Sequence, residues 1–357
     1  MSLSEDAFPA VERILVRGPN PVGDLVMATA SFADIRRRFP RAHISMFLKP
    51  GRHDVVRGAD TYDEILVDDS HEGRGSFLRL VRELRRRRFD LAILFTNSLR
   101  TALVVALADI SARVGYAKGG QGVLLTHRAE PLRDGLRWRW KPRPMPEIYA
   151  RLCEAAGVRR GDGRPRLFVT PECEGRAQER RRSLGVEDGE KLIGLVPGAG
   201  FGSSKLWPSA PFAELADLLS DRYGRRTIIF AGPGEAKIAS ELASMMKSRP
   251  LSTADHPLGL DLLKPFVRDL SLLVTMDTGP RHYAAAFRTP VVVIMGPTDP
   301  RWTAANLDES EIVRHDVPCG PCQLPTCPLD HRCMNEISAG EVLAHVQRLD
   351  ERVGVFA

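Results

Sequence analysis

The 357-residue sequence predicts an α/β protein made of two Rossmann-like halves. Three observations carry that expectation. Short apolar runs alternate with helical patterns along most of the chain, the arrangement of a parallel sheet covered on both sides. The alternation lapses once, over GDGRPRLFVTPECEGR, residues 161–176, where Pro, Gly and charge dominate. Each half also carries glycine-containing loops directly after strands, where ligands bind in doubly wound sheets.

In the first half the strand-like runs are Arg13–Arg17, His43–Leu48, Glu64–Val67, Leu91–Thr96 and Arg113–Tyr116. Between them lie helical patterns, such as 77–87 with Phe77, Leu80, Val81 and Leu84 on one face. In the second half KLIGLVPG (191–198) reads as a strand. PSAPFAELADLLSDRYG (208–224) reads as a helix running from a serine cap to a terminal glycine. RRTIIFAGPG (225–234), LSLLVTMDTG (270–279) and PVVVIMGPT (290–298) add three more strands. The expected domains are residues 1–175 and 176–357, with the ligand cleft between them.

Hydrophobic content of 43% and charged content of 27% are ordinary for a soluble protein. The opening MSLSEDAFPAVER has no apolar signal core, and the longest apolar candidate, 102–110, is short and interrupted by Asp109. A cytoplasmic protein is expected. The net charge of +6 and pI near 9.1 come largely from arginine. A basic surface suits nucleic acid, anionic lipid or phosphorylated substrates. Arg85–Arg88 read most simply as the solvated face of a helix. In 136–146, Trp138 and Trp140 alternate with cations and prolines follow, which reads as a loop touching an anionic partner.

Three loops carry the chemistry. After the strand at Ile14, the chain breaks into Gly18-Pro19-Asn20-Pro21, and Gly23-Asp24 then opens a helix. The G-x-G-x-x-G dinucleotide fingerprint is missing, and a carboxylate stands where a phosphate would sit, which counts against an NAD(P) oxidoreductase. The second loop, PGAGFGSSKLWP (197–208), combines glycines that permit close backbone approach to a phosphate with the charge of Lys205; it lacks Walker spacing. In the third, TMDTGPRHYAAAF (275–287), a strand ends at Asp277 and Thr278-Gly279-Pro280 opens a helix with His282 in its first turn. Free amides and the dipole at a helix start favour an anion.

Taken in order with VVVIMGPTDPRWT, these motifs resemble the ADP-heptose–lipopolysaccharide heptosyltransferases of glycosyltransferase family 9, nearest the heptosyltransferase II group, over about residues 12–347. The resemblance implies a GT-B fold: two Rossmann-like domains facing across a cleft, the N-terminal one for acceptor and the C-terminal one for nucleotide-sugar. It implies an inverting transfer of heptose from ADP-heptose to a lipopolysaccharide core or lipid A acceptor. No cofactor is expected, and none for the diphosphate in particular, since the chain lacks Asp-x-Asp. Nucleic acid is not an expected partner, whereas peripheral attachment to the inner membrane surface is.

Carried over residue by residue, Asp24 matches the family's general base and Lys205 its phosphate lysine. Gly200 and Phe201 fall at phosphate-loop positions where relatives often have hydroxyls, so backbone amides would serve, with Ser203 and Ser204 beside them. Thr278, Gly279 and His282 match the phosphate-binding helix start, Asp277 would hold sugar hydroxyls, and Glu235 the adenosine ribose. Two other readings stay open: a GT-B enzyme with another nucleotide-sugar or glycan acceptor, and a basic nucleic-acid-binding protein. Cys319, Cys322, Cys327 and Cys333 form C-x2-C-x4-C-x5-C, a spacing that allows a metal, disulfides or free thiols.

Overall fold

The computed structural model describes residues 8, 11–68, 75–131, 133, 134 and 137–356, with the backbone alone at 133, 134 and 137–139. It divides into two compact units between Arg166 and Leu167, inside the stretch where the strand–helix alternation lapses.

The first unit holds β1 (Arg13–Arg17), β2 (His43–Leu48), β3 (Glu64–Val67), β4 (Leu91–Leu94), β5 (Ala112–Tyr116) and β6 (His127–Ala129). They pair in the order β3-β2-β1-β4-β5-β6, all parallel. A parallel sheet needs cover on both faces, which explains why Ile14, Leu15 and Val16 are all buried. Helices 22–38 and 76–87 supply part of that cover, the latter through Leu80, Val81 and Leu84. Each such side chain stabilises the fold by about 1.5–3 kcal/mol relative to exposure. Order reverses between β1 and β4, so the crevice at their carboxyl ends is the unit's ligand position.

Arg17 shows how firmly that end is built. Its guanidinium is buried at the close of β1, bonded to the Phe47 carbonyl at 3.0 Å and to Asp68 at 2.9 Å. Burial depresses its pKa, and Asp68 works in the opposite direction.

The second unit repeats the plan with β9 (Ile193–Val196), β10 (Thr227–Ile229), β11 (Leu251–Ser252), β12 (Leu272–Met276), β13 (Val291–Ile294) and β14 (Ser310–Val313). The order is β11-β10-β9-β12-β13-β14, again parallel, reversing between β9 and β12. Its core gathers Ile193, Leu195, Phe212, Leu215, Val274, Ile294 and Val346.

Several expectations need correcting. Helix 209–223 starts at Pro208 with no side-chain cap, so the serine at 209 lies inside the first turn; Gly224 closes it in the left-handed conformation as expected. The basic 137–140 segment is a strand, β8 (Arg137–Trp140), antiparallel to β7 (Arg133–Asp134). Alternation of Arg and Trp is the period of a strand, and the prolines begin only after it ends. Among the described residues no helix is long and apolar enough to cross a membrane.

Candidate active site

In the second unit the loops after β9 and β12 meet at the switch point. Lys205 ends a one-turn 3-10 helix, 203–205, and its Nζ donates to the Asp277 carbonyl at 2.6 Å and to Oδ2 at 2.9 Å. Arg281 Nη1 donates to Asp277 Oδ1 at 2.7 Å and to Thr303 Oγ1 at 3.1 Å. The Thr298 hydroxyl adds a third bond, to Oδ2 at 2.8 Å. Burial alone would raise the pKa of Asp277, but Arg281 and Lys205 outweigh it and hold the carboxyl far below its ordinary range.

Two cations share one carboxylate, so the cluster keeps a net charge of +1. It lies at the start of helix 279–287, whose first turn has unsatisfied amides and a positive dipole end. Thr278 is the N-cap residue and its side chain makes no capping bond. His282 is buried, and desolvation together with Arg281 depresses its pKa to about 3. It is therefore a neutral hydrogen-bonding group at working pH and contributes no charge. The arrangement suits a doubly charged leaving group.

Beside the cluster is a cavity of about 610 Å³, lined by Gly198, Ser203, Trp207, Glu235, Ile238 and His331 among others. It has the size of a small-molecule site. Glu235 Oε2 accepts from the Gly232 amide at 2.7 Å, which fixes the carboxylate against Gly198. A Cβ at position 198 would overlap that carboxylate, so a side chain there would have to displace it.

In the first unit Asp24 lies half-buried in the first turn of helix 22–38, directly after β1. The buried Tyr149 hydroxyl donates a hydrogen bond to it; burial first, and the Asp24 charge second, raise the pKa of that tyrosine. The tyrosine thus stays protonated and orients the carboxylate.

The structure brings Lys205, Asp277, Thr278, Gly279 and His282 around one point, with Gly200, Phe201 and Ser203 on the exposed lip of the 198–205 loop. The Phe201 ring packs 5.0 Å from Lys205 Nζ. Ser204 departs from expectation: it is buried, and its hydroxyl donates to the Leu324 carbonyl at 2.5 Å, so it faces the cysteine-rich loop rather than an open site. Asp277 has three of its roughly four lone-pair positions taken by protein donors, leaving one for a sugar hydroxyl. Arg281, Thr298 and Tyr149 went unnoticed. Only Arg281 had a local signal, its i,i+4 spacing from Asp277 on the opening turn of a helix.

Paired doubly wound units, each with its chemistry loaded at the switch point, are the build of a GT-B glycosyltransferase, and solved structures agree. ADP-heptose lipopolysaccharide heptosyltransferase II of E. coli superposes with a TM-score of 0.75 at 24% identity, covering 94% of this chain and 98% of its own. A family 9 glycosyltransferase from Veillonella parvula gives 0.79 at 22% identity, covering 98% of both chains. Lipopolysaccharide heptosyltransferase 2 of Salmonella typhimurium is 27% identical over 360 residues, spanning 96% of this chain and all of that protein. Residues 77–332 match glycosyltransferase family 9 (heptosyltransferase), and the chain belongs to that family.

Proposed function

We propose that this enzyme transfers heptose from ADP-heptose to a hydroxyl of a lipopolysaccharide inner-core acceptor, with inversion at the anomeric carbon. The observation that carries the reading is the +1 cluster of Lys205, Asp277 and Arg281 at a helix start beside a nucleoside-sized cavity. The heptosyltransferase 2 relatives support the sugar and the acceptor class.

In this reading the second unit takes the donor and the first takes the acceptor. Adenosine occupies the cavity with Glu235 at its ribose. The diphosphate rests on the amides of Gly200, Phe201 and Gly279, with Lys205 and Arg281 supplying charge. Asp24 removes the proton of the acceptor hydroxyl as its oxygen bonds to the anomeric carbon, and the bond from that carbon to the phosphate oxygen breaks. The departing ADP gains negative charge in the transition state, where fixed cations stabilise it most. Because this charge is met by side chains and amides, the proposed transfer needs no divalent ion at the diphosphate.

The decisive experiment is release of ADP from ADP-heptose with a panel of truncated lipopolysaccharide cores. Heptose incorporated into one core, with little release without acceptor, is the expected result. Turnover of a UDP-sugar but not of ADP-heptose would overturn the donor assignment.

A further inference from the structure

Apart from His331, which lines the nucleoside-sized cavity, the segment between β14 and the short helix Arg332–Asn335 has no role in the proposed transfer, yet it is built against the phosphate loop. The Pro325 carbonyl accepts from the Ser204 amide at 3.0 Å and the Leu324 carbonyl accepts from the Ser204 hydroxyl at 2.5 Å. His331 Nε2 lies 2.6 Å from the Ser204 carbonyl, and the Gln323 amide donates to the Pro297 carbonyl at 2.9 Å. Gly202, at φ +149°, is crowded by the Pro325 carbonyl, so any side chain there would collide with it. The residue after Ser204 is Lys205. The segment therefore braces the loop that carries the cation of the donor site.

What holds the brace itself is the question. Residues 318–331 contain no helix or strand, and their larger apolar side chains, Leu324 and Leu329, are exposed. An irregular stretch of this length without an apolar interior needs another staple. What the stretch offers instead is sulfur, from half-exposed Cys322 and Cys327 and exposed Cys319, turned toward buried Cys333. Cys319, Cys322, Cys327 and Cys333 all line one cavity of about 20 Å³, room for a single water-sized sphere. None is in a disulfide. Cys333, in the short helix Arg332–Asn335, is buried and closes the inner side of that cavity. The Leu329 amide points at Cys327 Sγ from 3.4 Å, the kind of backbone donor that supports a metal-bound thiolate.

We propose that Cys319, Cys322, Cys327 and Cys333 bind one zinc or iron ion as thiolates, forming a structural knuckle that fixes the 318–331 brace behind Lys205. Four sulfur ligands around a single-ion cavity select a borderline-soft cation that accepts tetrahedral coordination. On binding, each thiol loses its proton to solvent. As the side chains stand, no three metal-capable groups among the described residues close on one point. One staggered turn about a Cα–Cβ bond moves a sulfur on the order of 3 Å, so metal binding re-orients these side chains toward the roughly 2.3 Å of a metal–sulfur bond.

The test uses the full chain, stripped of metal by chelator under reducing conditions and titrated with cobalt(II). Thiolate-to-cobalt charge-transfer bands and intense tetrahedral d–d bands, saturating at one equivalent and abolished by added zinc, are expected. Elemental analysis of untreated protein should give one zinc or iron per chain. Cys322→Ser should lose the charge-transfer bands, whereas Cys153→Ser and Cys173→Ser, which alter thiols outside the loop, should keep them. Because the first measurement is made on the unaltered chain, a variant that fails to fold leaves the result intact. Reduced protein that gives no tetrahedral cobalt spectrum, or cysteines of this loop found paired as disulfides in freshly purified protein, would overturn the proposal.

Discussion

Replacing Asp277 with asparagine should make the protein less stable and its grip on ADP tighter. Asparagine keeps the shape of the side chain but leaves Lys205, 2.9 Å away, and Arg281, 2.7 Å away, without a counter-charge. Breaking a buried ion pair costs about 3–5 kcal/mol. The three side chains are 5–11% exposed, so water screens part of the repulsion and the lower end, about 3 kcal/mol, applies. At about 2–4 °C per kcal/mol for a unit of this size, the melting point should fall by about 6–12 °C. The cluster charge meanwhile rises from +1 to +2. One extra unit charge about 5 Å from a phosphate, at an effective dielectric near 20, is worth about 3 kcal/mol. At a site open to solvent about half survives, which corresponds to roughly tenfold tighter ADP binding. Thermal unfolding with and without saturating ADP, and calorimetric titration of ADP, read both effects. Weaker ADP binding by the variant than by the parent would refute the charge argument.

Asp24→Asn should keep the ADP affinity measured by calorimetry and lose about 10²–10⁴-fold in single-turnover rate, as expected for removal of a general base. Gly198→Ala should displace the Glu235 carboxylate and weaken ADP several-fold while costing below about 1 kcal/mol of stability, because the clash is with the flexible end of a side chain. His282 is held neutral in the folded state down to about pH 3, whereas it protonates near 6.5 when unfolded. The unfolded state therefore binds the extra proton between those values, so stability falls as pH drops from 6.5, by on the order of 4–5 kcal/mol at pH 3; His282→Gln should flatten that slope in denaturant titrations. Neutralising Arg137, Arg139, Lys141 and Arg143 together should reduce co-sedimentation with anionic vesicles at low ionic strength; unchanged sedimentation assigns the segment another task.

The fold was readable because buried parallel strands write themselves as uninterrupted apolar runs. Arg13–Arg17 and His43–Leu48 were placed to the residue. Shorter elements were harder. β6 has three residues, too few for a pattern to stand out, and the Arg/Trp alternation of β8 lay next to prolines that made the whole segment read as a loop. The cluster around Asp277 was visible in outline since glycines and charges follow strands within a few residues. Thr298 beside that cluster and Tyr149 beside Asp24 are fixed by folding alone. Tyr149 lies on helix 145–154, far along the chain from Asp24, and no local pattern joins them. Ser204 looked available because sequence cannot tell that a loop more than a hundred residues later supplies an acceptor for its hydroxyl.

The protonation of the Asp277 cluster carries a consequence for how the enzyme will read its surroundings. With Asp277 ionised far below its ordinary range and His282 neutral down to about pH 3, neither group changes state in any environment the protein meets. The Asp277–His282 pair is electrically mute to acidity near neutral pH. A bend in the rate profile in that range then originates outside that pair. A measurement as simple as rate against pH would separate what the pair holds fixed from what the rest of the molecule contributes.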